Sequence, residues 1–455
     1  EEAPVLGMRL ILARNGIEPG SVPCRMRLAT TRCTNALLEG SGCAPVLFVT
    51  AGFPDLLEIG DQRRLGLFDP VPRKRPSLAS AVVEVDERTD REGKIIRPPD
   101  YEAIASAARD ALADGHRSAT VSFLNSCLND ENERAVVSIL REAGFQFVVG
   151  SGAIHPFPKW LPRCESAVIE SYLSPVLRRY LDSVTRGLGE RGELLVMSSA
   201  GGLIDRAGDR AIDSLLSGPA GGVVGAGATA RAAGVEKFIN LDMGGTSSDV
   251  SRFSGSFAYR SEHRVGVARI SNVAMKIETV AAGGGSICRV EDGLLRVGPQ
   301  SAGAHPGPAC YGFGGPLCLT DVNLLLGRLD PLRFSTPVSI EDAQGRLAEM
   351  VEQSGRLEED LLLGFLAVAD DAMANAIRKV STAEGYDPAE HALQTFGGAG
   401  GQHACGVARR LGMQKIFSPA DSGLLSAYGL SQARVERVVE RSVLSPVEPQ
   451  ALVRL

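Results

Sequence analysis

The chain has 455 residues, of which 44% are hydrophobic and 22% charged, a length that fits about two large domains or three ordinary ones. Its 48 Lys and Arg against 54 Asp and Glu give a net charge of −6, which excludes a general basic surface for nucleic acid. No apolar run approaches the ~20 residues that span a bilayer, so no membrane partner is expected. Nine scattered cysteines without a CxxC pair indicate reduced thiols and a cytoplasmic protein. The 52 glycines exceed ordinary usage of ~7% by about twenty, which suggests loops that a ligand approaches closely.

The first half of the chain alternates predicted helices and strands, the pattern of an α/β fold. Asp100 is predicted to cap one helix, and Asn129 or Asp130 the next. The helices are predicted over residues 3–14, 100–114, 129–144 and 166–188, and the strands over 26–31, 46–50, 119–124, 145–149 and 194–197. Residues 63–99, charged and rich in proline, are predicted to form a surface insertion or a small β excursion.

The second half begins with a glycine-rich helix and returns to helices at its end. Helices are predicted over residues 217–233, 340–354, 359–384 and 402–411, strands over 237–242 and 393–396, and hairpins within 248–270. We place the boundary near residue 234. Residues 1–234 then form a first lobe and residues 235–455 a second lobe.

The strongest motif is LDMGGTSSDVS, at residues 241–251. An apolar strand ends in Asp242, the Gly-Gly-Thr-Ser segment at 244–247 turns the chain, and Asp249 starts the following strand. Glycines let successive backbone N–H groups face one anion, and Thr246 and Ser247 add hydroxyl donors. Asp242 is placed to hold Mg²⁺ or to orient an attacking group. A tight hairpin turn is the structural alternative.

Three further glycine-rich segments accompany this motif: SGPAGGVVGAG at 217–227, AAGGGSI at 281–287 and TFGGAGGQHACGVA at 395–408. A phosphate or nucleoside can lie against a helix N-terminus where glycines remove the side chains. Close helix packing is the alternative, above all for the segment at 217–227. Together the loops predict a polyphosphate nucleotide bound by Gly244, Gly245, Thr246, Ser247, Gly283, Gly284, Gly285, Gly397, Gly398, Gly400 and Gly401.

A Gly/Pro-rich block at residues 297–312 contains His305 and Cys310, with Asp321 downstream. These residue types bind zinc, but their spacing fits no standard finger. A rigid loop with a polar or substrate-facing His305 is the favoured interpretation. His403, at the start of a helix, is a candidate helix-terminal or substrate residue.

These motifs, with ATTRCTNALLEG at 29–40, VTAGFPDLLEIGDQ at 49–62 and GPQSAGAHPGPACYG at 298–312, resemble the hydantoinase A / 5-oxoprolinase family. The resemblance extends over most of the chain in the family's order. It implies an actin-like ATPase fold, with two ribonuclease-H-like halves and ATP in a cleft between them. It also implies Mg²⁺, and a monovalent cation as a further possibility.

The resemblance implies an activity and a set of site residues. The expected reaction is ATP-dependent opening of a lactam or cyclic imide of the 5-oxoproline or hydantoin type, through phosphorylation of the amide oxygen and with a B-type partner subunit or domain. Alternatives are an ATP-dependent ketone carboxylase subunit and a nucleotide-binding module without turnover. The expected catalytic residues are Asp242 and Asp249, and the candidate substrate residues are Thr30, Thr31, Asn35, His305 and His403.

The sequence also departs from the family pattern. Family members begin with a first phosphate loop of the DxGGTxTD type, and the given sequence, which starts at Glu1, does not contain it. Its end at Leu455 also falls short of the usual C-terminus. Ala29 replaces the usual glycine and Ala200 a common asparagine. The expectation is therefore one phosphate loop of two, in a chain that is incomplete at its start or inactive as an ATPase alone.

Overall fold

The computed structural model describes residues 2–62, 76–208, 210–266, 268–334 and 337–440, together with 68, 70, 71 and 442. The chain divides into two compact units. The first unit comprises Glu1–Ser217, Arg260–Ala274 and Arg434–Leu455, and the second unit comprises Gly218–Tyr259 and Met275–Ala433. Both units combine helices with strands, which confirms the predicted α/β class. The lobes predicted as residues 1–234 and 235–455 stay a prediction.

The two larger sheets of the first unit have four and three strands, and helices pack against them. Its elements are α1 Ala3–Arg14, β1 Cys24–Leu28, α2 Arg32–Glu39, β2 Val46–Thr50, α3 Leu56–Ile59, β3 Ala81–Val85, β4 Arg88–Thr89, β5 Ile95–Arg97, α4 Tyr101–Ala113, β6 Ser118–Ser122, α5 Glu131–Ala143, β7 Phe147–Gly150, α6 Ser151–Ile154, α7 Trp160–Leu188, β8 Gly192–Met197 and β9 Leu203–Asp205. Strands β3, β2, β6 and β7 form a parallel sheet in that order, and β1, β8 and β9 form a second sheet. Since β2 and β6 lie inside the parallel sheet, all their residues are buried.

The stretch predicted as a surface insertion contributes partly to this parallel sheet. Strand β3 pairs with β2 along five residues and is the edge strand, with Val85 buried. The first four side chains of β3 are exposed or partly exposed, as at a sheet edge, and its backbone completes the sheet. Residues 63–67, 69 and 72–75 of the predicted insertion lie outside the described residues.

The second unit is built on one five-stranded sheet. From α8, Ser217–Ala232, to the end of the unit the elements are β10 Lys237–Met243, β11 Ser248–Ser254, β12 Tyr259–Val265, β13 Ala268–Met275, β14 Glu278–Val280, β15 Ser286–Glu291, β16 Leu294–Ser301, α9 Leu319–Leu325, α10 Ile340–Ser354, α11 Glu358–Val380, β17 Ala392–Phe396, α12 Gly400–Arg410, β18 Ile416–Phe417 and α13 Leu425–Gln432; most of β12 and β13 belongs to the first unit. The sheet order is β14-β11-β10-β17-β18, with the first three strands antiparallel and the last two parallel to β10.

Buried side chains of the second unit's core pack against one face of β10 and β17. Ile239, Leu241 and Met243 of β10 pack in one cluster with Phe365 and Met373 of α11, all with 0% exposure. Full burial of such a side chain contributes about 1.5–3 kcal/mol. The carboxyl end of β10 is therefore a fixed platform for the loop that follows it. Among the described helices, none combines the length and the apolar run that crossing a bilayer requires.

Candidate functional site

Asp242 and Asp249 lie side by side at the carboxyl end of β10. The antiparallel register places Asp242 opposite Asp249, and Asp249 opposite Thr279 of β14. Directly opposed residues of neighbouring strands project from the same face of a sheet. The Thr279 hydroxyl donates a hydrogen bond of 2.6 Å to Oδ1 of Asp249. The hairpin thus brings together the two predicted catalytic carboxylates, and it adds Thr279, which no sequence motif indicated.

The electrostatics of this pair favour a bound cation. Burial raises the pKa of Asp242 to about 7, and the negative charge of Asp249 acts in the same direction. Burial also raises the pKa of Asp249, opposed by the hydrogen bond from Thr279. No described residue donates a hydrogen bond to the Asp242 carboxylate. Mg²⁺ is commonly held by one or two carboxylates, waters and phosphate oxygens, so Asp242 and Asp249 fit that ion. The described residues contain no cluster of three or more His, Cys, Asp or Glu side chains arranged to hold a metal by themselves.

The loop between β10 and β11 presents its backbone amides away from the protein. Gly284 donates a backbone hydrogen bond of 3.0 Å to the Gly244 carbonyl, and Gly285 donates one of 2.6 Å to the Gly245 carbonyl. In a trans peptide the N–H points opposite to the C=O. The N–H groups of Gly245 and Thr246 therefore point away from residues 283–285, and no described residue accepts from them. Successive free amides of this kind can bind an anion, and we call this pair the nest; its contact with a phosphate stays a prediction.

Residues 283–285 support this nest through close backbone approach. A methyl group on Gly283 would lie 2.6 Å from the Thr246 carbonyl carbon, and one on Gly285 would lie 3.0 Å from the Gly245 carbonyl oxygen. Thr320 fixes the support, because its amide and its hydroxyl donate to the Gly284 carbonyl at 2.8 and 2.9 Å. The three glycines thus lie behind the nest. A direct contact between them and nucleotide stays a prediction.

The glycines of residues 397–401 divide into two kinds. Gly397 has φ +80°, and a methyl group there would lie 2.5 Å from Oδ1 of Asp242 and from the Met243 carbonyl oxygen. A methyl group on Gly400 would lie 2.5 Å from Oγ1 of Thr395. Gly398 and Gly401, by contrast, have open space where a side chain would stand. The open glycines lie at the N-terminus of α12, where backbone amides lack helical partners and attract anions.

The glycine-rich start of α8 is packed against another helix. Methyl groups on Gly221 and Gly225 would meet the backbone of Ser426 and Leu425, and one on Gly429 of α13 would collide with the Gly221 carbonyl. Two helices approach this closely only where side chains are absent. Of the two interpretations left open for this segment, helix packing is the one that the contacts support.

Three candidate substrate residues lie at the start of α2 in the first unit. The Thr30 amide donates to the Ser217 hydroxyl at 3.2 Å, and that hydroxyl donates to the Thr30 carbonyl at 2.9 Å. Thr30 is buried, whereas Thr31 and Asn35 are exposed one helical turn apart. Their contact with substrate stays a prediction.

The two candidate histidines differ in their surroundings. His305 is exposed, with its ring centroid 5.2 Å from that of Phe313. His403 has 0% side-chain exposure: Nδ1 lies 2.8 Å from Oδ1 of Asp370, and Nε2 lies 3.0 Å from Nδ2 of Asn323. In this conformation His403 joins helices of the core. A role toward substrate stays a prediction for both.

The loop that contains Cys310 is held by a buried carboxylate. Asp321 accepts hydrogen bonds from the backbone amides of Ala309, Cys310 and Cys318 at 3.0, 2.8 and 2.7 Å. These bonds occupy both of its oxygens. Asp321 therefore fixes a rigid loop, the interpretation that the sequence favoured over zinc.

Two family models match most of the chain. One described as Hydantoinase/oxoprolinase matches residues 163–439, and one described as Hydantoinase/oxoprolinase N-terminal region matches residues 1–144. The 5-oxoprolinase PfmaA of Pestalotiopsis fici is 40% identical over 96% of this chain, and the match covers 38% of that protein. The chain thus spans well under half the length of this relative.

Two solved structures share the fold. The ATP-dependent caprolactamase of Pseudomonas jessenii superposes with a TM-score of 0.80 at 30% identity, over 94% of this chain and 65% of that one; its subunit alpha is 33% identical in sequence over 90% of this chain and 62% of its own length. A nucleotide-free acetone carboxylase superposes with a TM-score of 0.78 at 26% identity, over 95% of this chain and 66% of that one. The family resemblance and the α/β fold predicted from the motifs are confirmed, and the chain belongs to the hydantoinase/oxoprolinase family.

Proposed function

We propose that this chain is the ATP-binding component of an enzyme that opens a lactam or cyclic imide ring at the expense of ATP. The observation that carries the proposal is the nest of free amides at Gly245 and Thr246 beside the Asp242–Asp249 pair. The names of its relatives, 5-oxoprolinase and caprolactamase, favour a cyclic amide over other phosphate acceptors.

The residues would divide the work as follows. The amides of Gly245 and Thr246, with the hydroxyls of Thr246 and Ser247, bind phosphate oxygens. Asp242 holds Mg²⁺, with Asp249 oriented beside it by Thr279. When bound there, the ion would neutralise negative charge on the phosphate groups. The open faces of Gly398 and Gly401 leave room for the remainder of the nucleotide.

The proposed chemistry transfers the γ-phosphoryl group to the amide oxygen. The bond from the terminal phosphorus to the bridging oxygen breaks, ADP leaves, and the new bond joins phosphorus to the lactam oxygen. Water then adds to the activated carbon. Loss of phosphate and cleavage of the C–N bond release a ring-opened amino acid, in a step that we assign to a B-type partner subunit or domain.

The test is Asp242→Asn in the full-length protein with its partner, measured as ADP release that depends on 5-oxoproline or caprolactam. We expect a loss of at least about 100-fold, the size found when one group that stabilises transition-state charge is removed. Asp360→Asn is the matched control, because Asp360 is exposed in the first turn of α11. Ring-dependent turnover that survives in the Asp242 variant would refute the proposal. Mg·ATP binding without phosphate release in the wild-type protein would favour a nucleotide-binding module instead.

A second candidate is ATP-dependent ketone carboxylation. The similarity to acetone carboxylase at 26% identity favours it. Dependence of ADP release on bicarbonate and a ketone, without response to any lactam, would establish this alternative. The cytoplasmic location stays a prediction, based on nine scattered cysteines without a CxxC pair.

A further inference from the structure

The first unit contains a cavity remote in sequence from the phosphate nest. Its volume is about 730 Å³, within the range of small-molecule sites. Residues 435–440 form one wall, and the opposite walls include Ala153, Ile204, Ser198, Arg210 and Asp213. Every lining residue belongs to the first unit.

Arg210, which also lines the cavity, is held in place by hydrogen bonds to other protein groups. Nε of Arg210 lies 2.7 Å from Oδ2 of Asp213, Nη2 lies 3.2 Å from Oδ1, and Nη1 donates to the Ile154 carbonyl at 3.2 Å. Asn272 donates a further hydrogen bond of 3.2 Å to Asp213. Each nitrogen of Arg210 thus has one protein acceptor, so three of its five N–H groups are already in use.

Two groups of the cavity, Glu440 and Ser198, can accept hydrogen bonds from a ligand. Glu440 is partly buried, and no described residue donates to its carboxylate; burial raises its pKa, and the nearby Arg210 opposes that rise. Ser198 is 7% exposed, and its hydroxyl has no partner among the residues that the structure describes. The charged lining residues are two arginines against four carboxylates. Such a lining favours a ligand that donates hydrogen bonds or carries positive charge.

We propose that this cavity binds a small organic molecule whose nitrogen donates a hydrogen bond to Glu440 and whose second polar group bonds to the Ser198 hydroxyl. Apolar walls, among them Ile154, Ile204 and Val273, would contact its methylene groups. The chemistry fits two sources, an amide N–H of a cyclic amide and the ammonium group of the ring-opened amino acid. Only this choice of sources rests on the proposed function.

The test measures binding directly in the full-length, nucleotide-free protein by ligand-observed NMR and calorimetry. The probes are 5-oxoproline and caprolactam, their N-methyl derivatives, and the amino acids glutamate and 6-aminohexanoate. N-methylation removes the donor and should weaken lactam binding by at least about tenfold. Glu440→Gln should weaken the best probe about tenfold and Ser198→Ala about threefold, whereas Glu190→Gln, at an exposed turn of the same unit, should leave affinity unchanged.

A second variant tests the location without disturbing the core. Ala153 is exposed at the cavity, so Ala153→Trp should fill the opening and abolish binding while the thermal unfolding midpoint is retained. Lactam binding alone identifies the cyclic amide as the ligand, and amine binding alone identifies the ring-opened form. Absence of binding by every probe, or equal binding by wild type, Glu440→Gln and Ala153→Trp, overturns the proposal. Asp242→Asn should keep this binding, so failure at the cavity is distinguishable from failure of the proposed ATP chemistry.

Discussion

Two neighbouring glycines allow protein stability and nucleotide binding to be separated. Gly397→Ala places a methyl group 2.5 Å from two oxygens in a left-handed backbone conformation, whereas Gly398→Ala places one in open space. The left-handed conformation costs about 1–2 kcal/mol, and overpacking a tight site costs about 1–3 kcal/mol. We therefore expect Gly397→Ala to lower the free energy of unfolding by about 2–5 kcal/mol.

Gly398→Ala should behave in the opposite way. Its new methyl group meets no protein atom within 4 Å, so stability should change by no more than about 1 kcal/mol. If the nucleotide lies against this face, the same methyl group should weaken Mg·ATP binding by at least about tenfold, or ~1.4 kcal/mol.

The assays are urea unfolding with a fluorescence readout and calorimetric titration with Mg·ATP, both on the full-length protein. Wild-type affinity in Gly398→Ala would show that no nucleotide lies at the open face of this loop. Wild-type stability in Gly397→Ala would refute the packing argument itself.

Two further substitutions probe buried histidines. His263 is 3% exposed, neither ring nitrogen has a hydrogen-bond partner among the described residues, and burial together with nearby Arg260 lowers its pKa from 6.5 to about 4. Because His263 binds a proton more tightly in the unfolded chain than in the folded one, protonation favours unfolding. The contribution of His263 to stability is therefore fully present above pH 6.5 and is lost as the pH falls to 4. Between pH 6.5 and 4 the free energy of unfolding should fall by about 3 kcal/mol because of His263. His263→Leu should abolish this fall when urea unfolding is measured across that pH range. The same pH dependence in wild type and variant would contradict the assignment. His403→Gln should lower stability by about 2–4 kcal/mol, because Asp370 loses a buried partner; unchanged stability with a raised KM for the lactam would instead make His403 a substrate contact.

Local signals in the sequence predicted elements well where one residue determines the end of a helix. Asp100 accepts hydrogen bonds from the amides of Glu102 and Ala103, as its predicted capping role requires. The strand at Val46–Thr50 and the helix at 340–354 have the predicted limits. Capping and burial depend on neighbours along the chain, so the sequence carries that information directly.

The roles of the site glycines could not be predicted in the same way. Gly245 and Gly285 have similar local sequences. Gly245 has open space where a side chain would stand, whereas Gly285 packs against the carbonyl oxygen of Gly245. That difference depends on a contact between loops forty residues apart. His403 is a similar case, since its partners Asp370 and Asn323 are 33 and 80 residues away. Thr320 belongs to no motif of the sequence analysis. The available signal was its position at the start of a helix, just before Asp321, which caps that helix.

The discontinuous first unit has a consequence for protein synthesis. Leu203 completes its backbone hydrogen bonds with Arg434 and Glu436, more than 200 residues later in the chain. At about 5–20 residues per second, the ribosome makes the intervening segment in roughly 10–50 s. During that interval the second unit can already fold, whereas the backbone amide and carbonyl of Leu203 in strand β9 have not yet met their partners. An interaction that shields these backbone groups on the ribosome should therefore raise the yield of folded protein, and a slow stretch of codons before residue 434 should lower it.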